Sequence, residues 1–306
     1  MSNSQKSKAS NLDISSLTPA RTTESLLRYD PYQIFRKGST PYAIYARRKW
    51  LGEETESSRM AADQIVANLI QTQSPNGSWN DSVVETIQNL HLISLLAPKF
   101  NGRTKKAVDW LLEKHLEPMR HTAKDGVKYD GLFFQVNRKD ANEINRRENF
   151  LFTRGCAGFV KTAAALLFAG IFTKQKDERV LQAFKTLDNI LKRRQGKWCN
   201  NLPCSNNVLR AYVCHPLKRQ SKETQTALKT LAKLQTRNGT WRGIKYFYHT
   251  FNIVAQSKLK IARQQVAKAL PRIIQLQNRD GTFGKDNKEF YTFLVLDGLK
   301  KQRLKI

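Results

Sequence analysis

The chain has 306 residues, and its 53 lysines and arginines against 25 aspartates and glutamates give a net charge of +28. Hydrophobic residues make up 40% of the sequence, which excludes a fully disordered basic protein and is enough for a large core. No apolar run approaches the roughly 20 residues that a membrane span requires, and the N-terminal sequence MSNSQKSKAS lacks the apolar stretch of a secretory signal. Four cysteines are too few for a disulfide scaffold. We therefore expect a soluble, cytoplasmic, globular protein.

The first 57 residues differ in composition from the rest of the chain. Serine and threonine are dense up to Ser25, which predicts a disordered tail over Met1–Ser25. Aromatic and apolar residues recur from Asp30 to Trp50, so we expect this stretch to pack on the main body. Helical spacing starts at Ser58. The sequence thus predicts a basic tail over residues 1–57 and a helical domain over residues 58–306, whose C-terminal end is basic.

A short element recurs along this helical domain. It consists of Gln, three residues, Gly, one residue and an aromatic, with three close copies at Gln73–Trp79, Gln235–Trp241 and Gln277–Phe283 and looser ones at Asp130–Phe133 and Gln195–Trp198. Asn-Gly and Asp-Gly allow the positive φ that ends a helix and reverses the chain. We expect the aromatic to stack over the helix end and the Gln side chain to bond open backbone groups.

Each copy lies between two helical patterns. The segment before it is amphipathic, as shown by Val180, Phe184, Leu187 and Leu191 before Trp198. The segment after it is more uniformly apolar, and five such segments occur: Val83–Leu96, Cys156–Phe172, Asn206–Cys214, Tyr248–Ala255 and Phe290–Leu299. This alternation predicts an outer and an inner layer of helices. Pro271 predicts a kink or an early end in the last outer helix.

The repeated Q-x-x-x-G-x-W element resembles that of the terpene cyclase and protein prenyltransferase superfamily over about residues 58 to 300. The resemblance implies an all-α fold, an α/α toroid of about five helical hairpins, with the chemistry in a central cavity. A generic helical-hairpin solenoid is the alternative. Cyclases of the superfamily protonate an alkene with a D-x-D-D motif, but this sequence contains neither D-x-D-D nor D-D-x-x-D. Asp81 is the nearest single substitute as a catalytic acid, and its alternative role is that of a helix N-cap or first-turn acid.

The prenyltransferases instead hold Zn²⁺ with Asp, Cys and His. The segment FYHTF resembles their His-bearing helix start, which puts His249 at the ligand position, and CNNLPCS puts Cys204 at the Cys position. Leu202 stands where the acidic ligand is expected, so the resemblance implies an incomplete site. Cys204 and His249 are thus the candidate zinc ligands and catalytic residues. Cys156 is set aside as a third ligand because it follows an irregular interval.

Other readings of these residues stay open. Cys199, Cys204, Cys214 and His215 form a second candidate zinc cluster by residue type, although their spacing matches no known finger. All four cysteines are equally consistent with ordinary packing without a metal. His91, on the first inner helix, is expected to be a core histidine whose hydrogen bonds are satisfied.

Two functions of different classes are consistent with the sequence. One is a terpene cyclase-like or prenyltransferase-like protein that binds or transforms an isoprenoid-type apolar substrate in the toroid cavity. The other is a catalytically inactive toroid whose basic surface binds a polyanion (nucleic acid or an anionic membrane surface) or an acidic protein. The net charge of +28 favours the second and the apolar inner helices favour the first. In either case the protein is expected in the cytoplasm, including at the periphery of a membrane.

Overall fold

The computed structural model describes residues 25–97, 101–113, 122–123, 125–130, 132–133, 138–172 and 174–306. Apart from Ser25, the predicted disordered tail lies outside these residues. The described residues form helices and no sheet. The helices are α1 Gln33–Arg36, α2 Pro41–Trp50, α3 Glu56–Gln71, α4 Val83–Leu96, α5 Gly102–Glu113, α6 Arg138–Arg146, α7 Ala157–Ile171, α8 Glu178–Arg193, α9 Leu202–Cys214, α10 Lys222–Leu234, α11 Phe247–Ala255, α12 Lys260–Leu276 and α13 Lys288–Lys301.

The helices form two concentric layers, as the sequence predicts. The inner helices α4, α7, α9, α11 and α13 are buried over most of their length, and on α7 every residue from Gly158 to Ala169 is buried. The outer helices α3, α5, α8, α10 and α12 are amphipathic, and the face predicted for α8 from Val180 to Leu191 is buried. The all-α toroid fold is therefore confirmed. None of the described helices combines the length and apolarity needed to span a bilayer.

The ring of inner helices is closed by a helix from the first 57 residues. Each inner helix packs against the next in the order α4, α7, α9, α11 and α13, and α2 packs against both α13 and α4. Tyr42 on α2 is buried and its ring lies 4.8 Å from that of Phe293 on α13. The stretch Asp30–Trp50 thus supplies the sixth member of the inner ring. The domain boundary at residue 57 stays a prediction.

The repeated turns use their Gln side chains as expected. Nε2 of Gln73 and of Gln235 donates to the carbonyl of the turn glycine and also to a carbonyl on the next outer helix, Arg103 or Gln265. In the last copy Nε2 of Gln277 donates to the carbonyls of Gly281 and Tyr29. In the first two copies this second carbonyl belongs to the following outer helix, and in the last copy it belongs to Tyr29. The segment around Tyr29 therefore takes the position of a following outer helix and closes the outer layer.

The turn glycines are required both by conformation and by space, so we expect Gly239→Ala to lower the free energy of unfolding by about 3 kcal/mol. Gly239 has φ +81°, and a Cβ there would lie 2.4 Å from the carbonyl oxygen of Lys268. Gly52 is the matched control, because it has φ +74° but no atom within 4 Å of its Cβ position. Gly52→Ala should cost only about 1 kcal/mol. Urea denaturation measures both; equal losses would contradict the steric argument.

The last outer helix runs through its proline. α12 extends from Lys260 to Leu276, and Pro271 lies inside it. The early end predicted at this position was therefore wrong. Buried residues on both sides of the proline, Leu270 and Ile273, show that tertiary packing holds the helix together past the missing backbone donor.

Candidate functional site

A cavity of about 650 Å³ opens at the end of the ring where the inner helices begin. Three segments form it: residues 147–154 before α7, residues 245–249 at the start of α11, and residues 284–291 at the start of α13. Aromatic rings make up much of its wall, namely Phe150, Phe152, Tyr246, Phe247, Tyr248, Phe290 and Tyr291. The rings contact one another, and Tyr248 and Tyr291 lie 5.2 Å apart. The cavity therefore combines aromatic rings with polar and charged groups.

The entrance of this aromatic cavity is predominantly cationic. Arg147, Arg154, Lys245 and Lys285 line it together with the carboxylates of Glu148 and Asp286, and all six side chains are exposed. Glu148 accepts a hydrogen bond from Asn287 Nδ2 at 3.1 Å. The excess of cations produces a positive potential over the opening, which favours an anionic group at that place.

His249 lines the same cavity as a neutral ring. Its Nε2 lies 3.0 Å from the carbonyl oxygen of Phe150, so Nε2 carries the proton and donates. Burial lowers the pKa of His249 to about 4; the Phe150 hydrogen bond opposes this shift, and the charge of Arg210 adds to it. His249 is therefore uncharged at neutral pH, and its Nδ1 is the nitrogen with a free lone pair.

The interior of the ring below the cavity is polar as well as apolar. Arg210 on α9 is only 3% exposed, and its Nη1 donates to Asn252 Oδ1 at 2.9 Å. Asn252 in turn donates to Asp297 Oδ2 at 2.9 Å. Among the described residues, Nε and Nη2 of Arg210 have no hydrogen-bond partner. Burial lowers the pKa of Arg210 to about 10, so the guanidinium stays charged at neutral pH.

A second buried cation lies on α7. Lys161 is fully buried, and burial lowers its pKa to about 7, while attraction to buried Asp140 opposes the shift. In the sequence Lys161 interrupts an apolar run, and Arg210 lies in the shorter apolar stretch Val208–Val213 of α9. A charged residue inside a predicted inner helix is therefore the one signal that could have identified these two residues. The hydropathy pattern alone does not indicate that these two charged side chains are buried.

The histidine predicted to be a core residue is buried as expected. His91 on α4 is 5% exposed, and its ring lies 6.0 Å from that of Tyr42. Burial lowers the pKa of His91 to about 3, and the charge of Arg210 adds to this effect. His91 is therefore neutral and packs between the inner helices, but its buried Nε2 has no hydrogen-bond partner among the described residues, unlike the satisfied histidine that was expected.

Three thiols meet beside the start of α7 and α9. The Sγ atoms of Cys156, Cys199 and Cys204 all lie within 4.8 Å of one another. Cys204 is fully buried, Cys199 is half-buried and Cys156 is exposed. Hydrogen bonds from the thiols of Cys156 and Cys204 lower the pKa of Cys199, and the charge of Arg194 adds to this effect. The same hydrogen bonds, together with burial, raise the pKa values of Cys156 and Cys204, so the group favours a thiolate at Cys199.

The two predicted zinc ligands, Cys204 and His249, belong to different groups of residues in the structure. Cys204 lies with Cys156 and Cys199, whereas the ring of His249 is bonded to Phe150 and lies outside this thiol group. Cys156, which the sequence analysis set aside, lies beside Cys204: it is the N-cap residue of α7, and its backbone N–H donates to Cys204 Sγ at 3.0 Å. Whether His249 and Cys204 act in catalysis stays a prediction.

The alternative four-residue cluster is not formed. Cys204 and Cys214 are ten residues apart on α9, which separates them by about 15 Å along the helix. His215 packs at the far end, where its ring lies 4.7 Å from that of Phe184. Of that cluster only Cys199 and Cys204 come together.

Asp81 lies away from the aromatic cavity and is exposed. Its Oδ1 accepts from Asn76 Nδ2 at 2.8 Å. The N-cap of α4 is Ser82, whose Oγ accepts from the Glu85 N–H, so the capping role expected for Asp81 belongs to its neighbour. Asp81 instead ties the first repeated turn together.

A second opening, of about 720 Å³, lies between α4 and α6. Its lining is mostly charged, with Glu85, Glu143 and several arginines and lysines, and contains one apolar residue, Val84. Such a lining matches ordinary solvated surface between two helices. The aromatic cavity is the better candidate site, because it combines apolar walls with convergent polar groups.

Comparison with known proteins agrees with this architecture. No protein-family model matches the chain, and no curated protein matches it by sequence. Among solved structures, the type II terpene cyclase MstE from Scytonema is 13% identical with a TM-score of 0.53, over 87% of this chain and 88% of that chain. The fold is that of the terpene cyclase toroids.

Two further solved structures have the same toroid. A variant of the Scytonema cyclase in complex with its substrate, geranylgeranyl dihydroxybenzoate, is 13% identical with a TM-score of 0.52 over 86% of both chains. A protein from Actinoplanes is 16% identical with a TM-score of 0.52, over 87% of this chain and 89% of that chain. These comparisons lend no support to the polyanion alternative.

Proposed function

We propose that this terpene cyclase-like toroid binds an isoprenoid-type molecule, an apolar polyprenyl chain with an anionic head group, in the aromatic cavity. The observation that carries the proposal is the joint presence of aromatic walls and a cationic entrance in one cavity of about 650 Å³. This volume falls in the range of about 300–1,000 Å³ typical of small-molecule sites.

The walls match the chain of such a ligand. Tyr246, Phe247, Tyr248 and Tyr291 are half-buried and present part of their rings to the cavity. Phe150, Phe152 and Phe290 are nearly fully buried and contribute little accessible surface. A polyprenyl chain gains about 25 cal/mol for each Å² of apolar surface removed from water, and its double bonds pack well on aromatic rings. His249 adds a neutral ring rather than a charge, so it does not oppose an apolar chain.

The entrance matches the head group. Arg147, Arg154, Lys245 and Lys285 converge on the opening and can pair with a diphosphate or a carboxylate. The substrate of the Scytonema cyclase, geranylgeranyl dihydroxybenzoate, combines a polyprenyl chain with a benzoate, which supports the same ligand class here. An inorganic anion would contact only the exposed cations of the rim, so its binding free energy should be small.

Catalysis is the narrower part of the proposal. The sequence contains no D-x-D-D, and the carboxylates that line the cavity are Glu148 and Asp286 at its exposed rim. Of the predicted catalytic residues, His249 lines the cavity, whereas Asp81 and Cys204 do not. If His249 is catalytic, it can therefore act directly on a ligand bound in this cavity. Asp81 and Cys204 could be catalytic only at a different site.

Calorimetric titration with geranylgeranyl diphosphate tests the proposal. We expect saturable binding by the full chain, weakened about tenfold or more by Tyr291→Ala, which removes about 1.4 kcal/mol or more of wall contact. Arg154→Gln should weaken binding of the diphosphate but leave binding of geranylgeraniol, which has no charged head, nearly unchanged.

Two exposed residues outside the cavity serve as matched controls. Tyr29→Ala and Arg219→Gln remove the same side-chain types and should leave binding unchanged. The proposal is wrong if geranylgeranyl diphosphate does not bind, or if inorganic pyrophosphate binds as tightly as the full molecule. Equal losses in Tyr29→Ala and Tyr291→Ala would also contradict it.

A further inference from the structure

The thiol group formed by Cys156, Cys199 and Cys204 takes no part in the proposed isoprenoid site. Its residues come from three places that meet only in the folded ring: the N-cap of α7, the turn after Trp198, and the first turn of α9. None of the three lines the aromatic cavity. Three of the four cysteines of the chain are thus gathered at one point, within 4.8 Å of one another.

This spacing is close to that of a zinc–thiolate site. Sulfurs bound to Zn²⁺ at about 2.3 Å in a tetrahedron are separated by about 3.8 Å. The Sγ atoms here lie within 4.8 Å of one another, so contraction by about 1 Å or less through side-chain rotation brings them into that geometry.

The surroundings of Cys204 support a metal-bound thiolate. The backbone N–H of Cys156 donates to Cys204 Sγ at 3.0 Å, and such donors to sulfur stabilise thiolate ligands. Gly155 permits this contact, because a Cβ at that position would lie 2.8 Å from Cys204 Sγ. The backbone just before α7 therefore packs directly against the sulfur of Cys204.

The charge balance also favours a cation among the three sulfurs. Three thiolates and one divalent ion carry a net charge of −1, whereas three thiolates alone would carry −3. Thiolates are soft ligands that select Zn²⁺ over Mg²⁺ or Ca²⁺.

We propose that Cys156, Cys199 and Cys204 bind one Zn²⁺ ion with three protein ligands. Because Cys156 is exposed, the fourth position of the tetrahedron faces solvent and is filled by water or an incoming ligand. This site differs from the Cys204–His249 pair that the sequence suggests, since two other cysteines replace the histidine. The proposal does not depend on isoprenoid binding.

Cobalt substitution and zinc analysis test the site on the full chain. We expect about one zinc per chain after purification with zinc, and a thiolate-to-cobalt charge-transfer absorption when Co²⁺ replaces it. Cys156→Ser is the main variant, because this exposed residue can change without disturbing the core. It should weaken metal binding at least about 100-fold and abolish the absorption.

Cys214→Ser is the matched control, because Cys214 is the fourth cysteine and lies at the other end of α9. It should retain the zinc and the cobalt absorption. A thiol reagent should leave the exposed Cys156 unlabelled in the zinc-loaded protein and label it after chelation. The proposal is overturned by metal-free wild-type protein that gives no cobalt absorption, by an unchanged signal in Cys156→Ser, or by a reducible disulfide between two of the three thiols.

Discussion

Lowering the pH from 7 to 5 is expected to reduce the free energy of unfolding by about 5 kcal/mol. Burial lowers the pKa of His91 to about 3 and those of His215 and His249 to about 4. In the unfolded chain a histidine has a pKa of about 6.5, so below that pH the unfolded state binds more protons than the folded one.

The sign of this effect follows from the lowered folded pKa values. The contribution of each histidine is intact above pH 6.5 and is lost as the pH falls toward the folded pKa, at about 1.4 kcal/mol per pH unit. Carboxylates with lowered pKa values, such as Asp177 and Asp280, titrate mainly below pH 5 and contribute little in this range. Between pH 7 and 5 the histidines therefore supply most of the change. Lys161, whose pKa burial lowers to about 7, adds a small further loss, while the raised pKa values of Asp188 and Glu289 act in the opposite direction.

Urea denaturation followed by circular dichroism at pH 7, 6 and 5 measures this dependence. In His91→Gln the loss between pH 7 and 5 should fall by about a third, because one of three similar groups no longer titrates. A free energy of unfolding that is constant over this range would show that the histidines are solvated in the folded protein. That result would contradict the packed ring interior around Arg210.

Trp198→Ala is expected to lower the free energy of unfolding by about 3–5 kcal/mol. The indole is 1% exposed, and its ring lies 4.7 Å from that of Tyr212 on the inner helix α9. Its Nε1 donates to the carbonyl of Leu187 on the outer helix α8 at 3.1 Å. Truncation thus leaves a cavity between the two layers and removes a hydrogen bond.

The repeats themselves supply a matched comparison for this prediction. The equivalent aromatic of the last copy is Phe283, which is fully buried and has no N–H to donate. Trp198→Phe should therefore cost only about 1–2 kcal/mol, and Leu217→Ala, at a 43% exposed side chain, less than about 0.5 kcal/mol. Thermal and urea denaturation measure all three. If Trp198→Phe and Trp198→Ala lowered the free energy of unfolding by similar amounts, the hydrogen bond to Leu187 and not the packing would be responsible, which would contradict the prediction.

The repeated turns could be predicted because their chemistry is local. Gln, Gly and the aromatic lie within seven residues, and the bonds from Gln73 and Gln235 to the turn carbonyls follow from that spacing. The partners of the aromatic backbone N–H groups were missed. These are hydroxyls at the start of the inner helices, as between Trp198 and Ser205 and between Phe283 and Thr292.

The candidate site could be predicted only in part. FYHTF directed attention to His249, which lines the aromatic cavity. The other walls come from residues 147–154 and 284–291, about 100 residues before and 40 after it, which no spacing rule connects. The thiol group was missed for the same reason, since Cys156 and Cys204 belong to different repeats.

The sequence by itself determined the two layers of helices and the turns between them, because periodicity and the positive φ of glycine act within a few residues. Only the tertiary structure decided how the ring closes, with α2 between α13 and α4, and which side chains meet at its open end. Ring closure and convergence depend on contacts between distant segments, whose packing is not encoded in any local pattern. The net charge of +28 is likewise visible in the sequence, but only the fold shows that part of it surrounds an aromatic cavity.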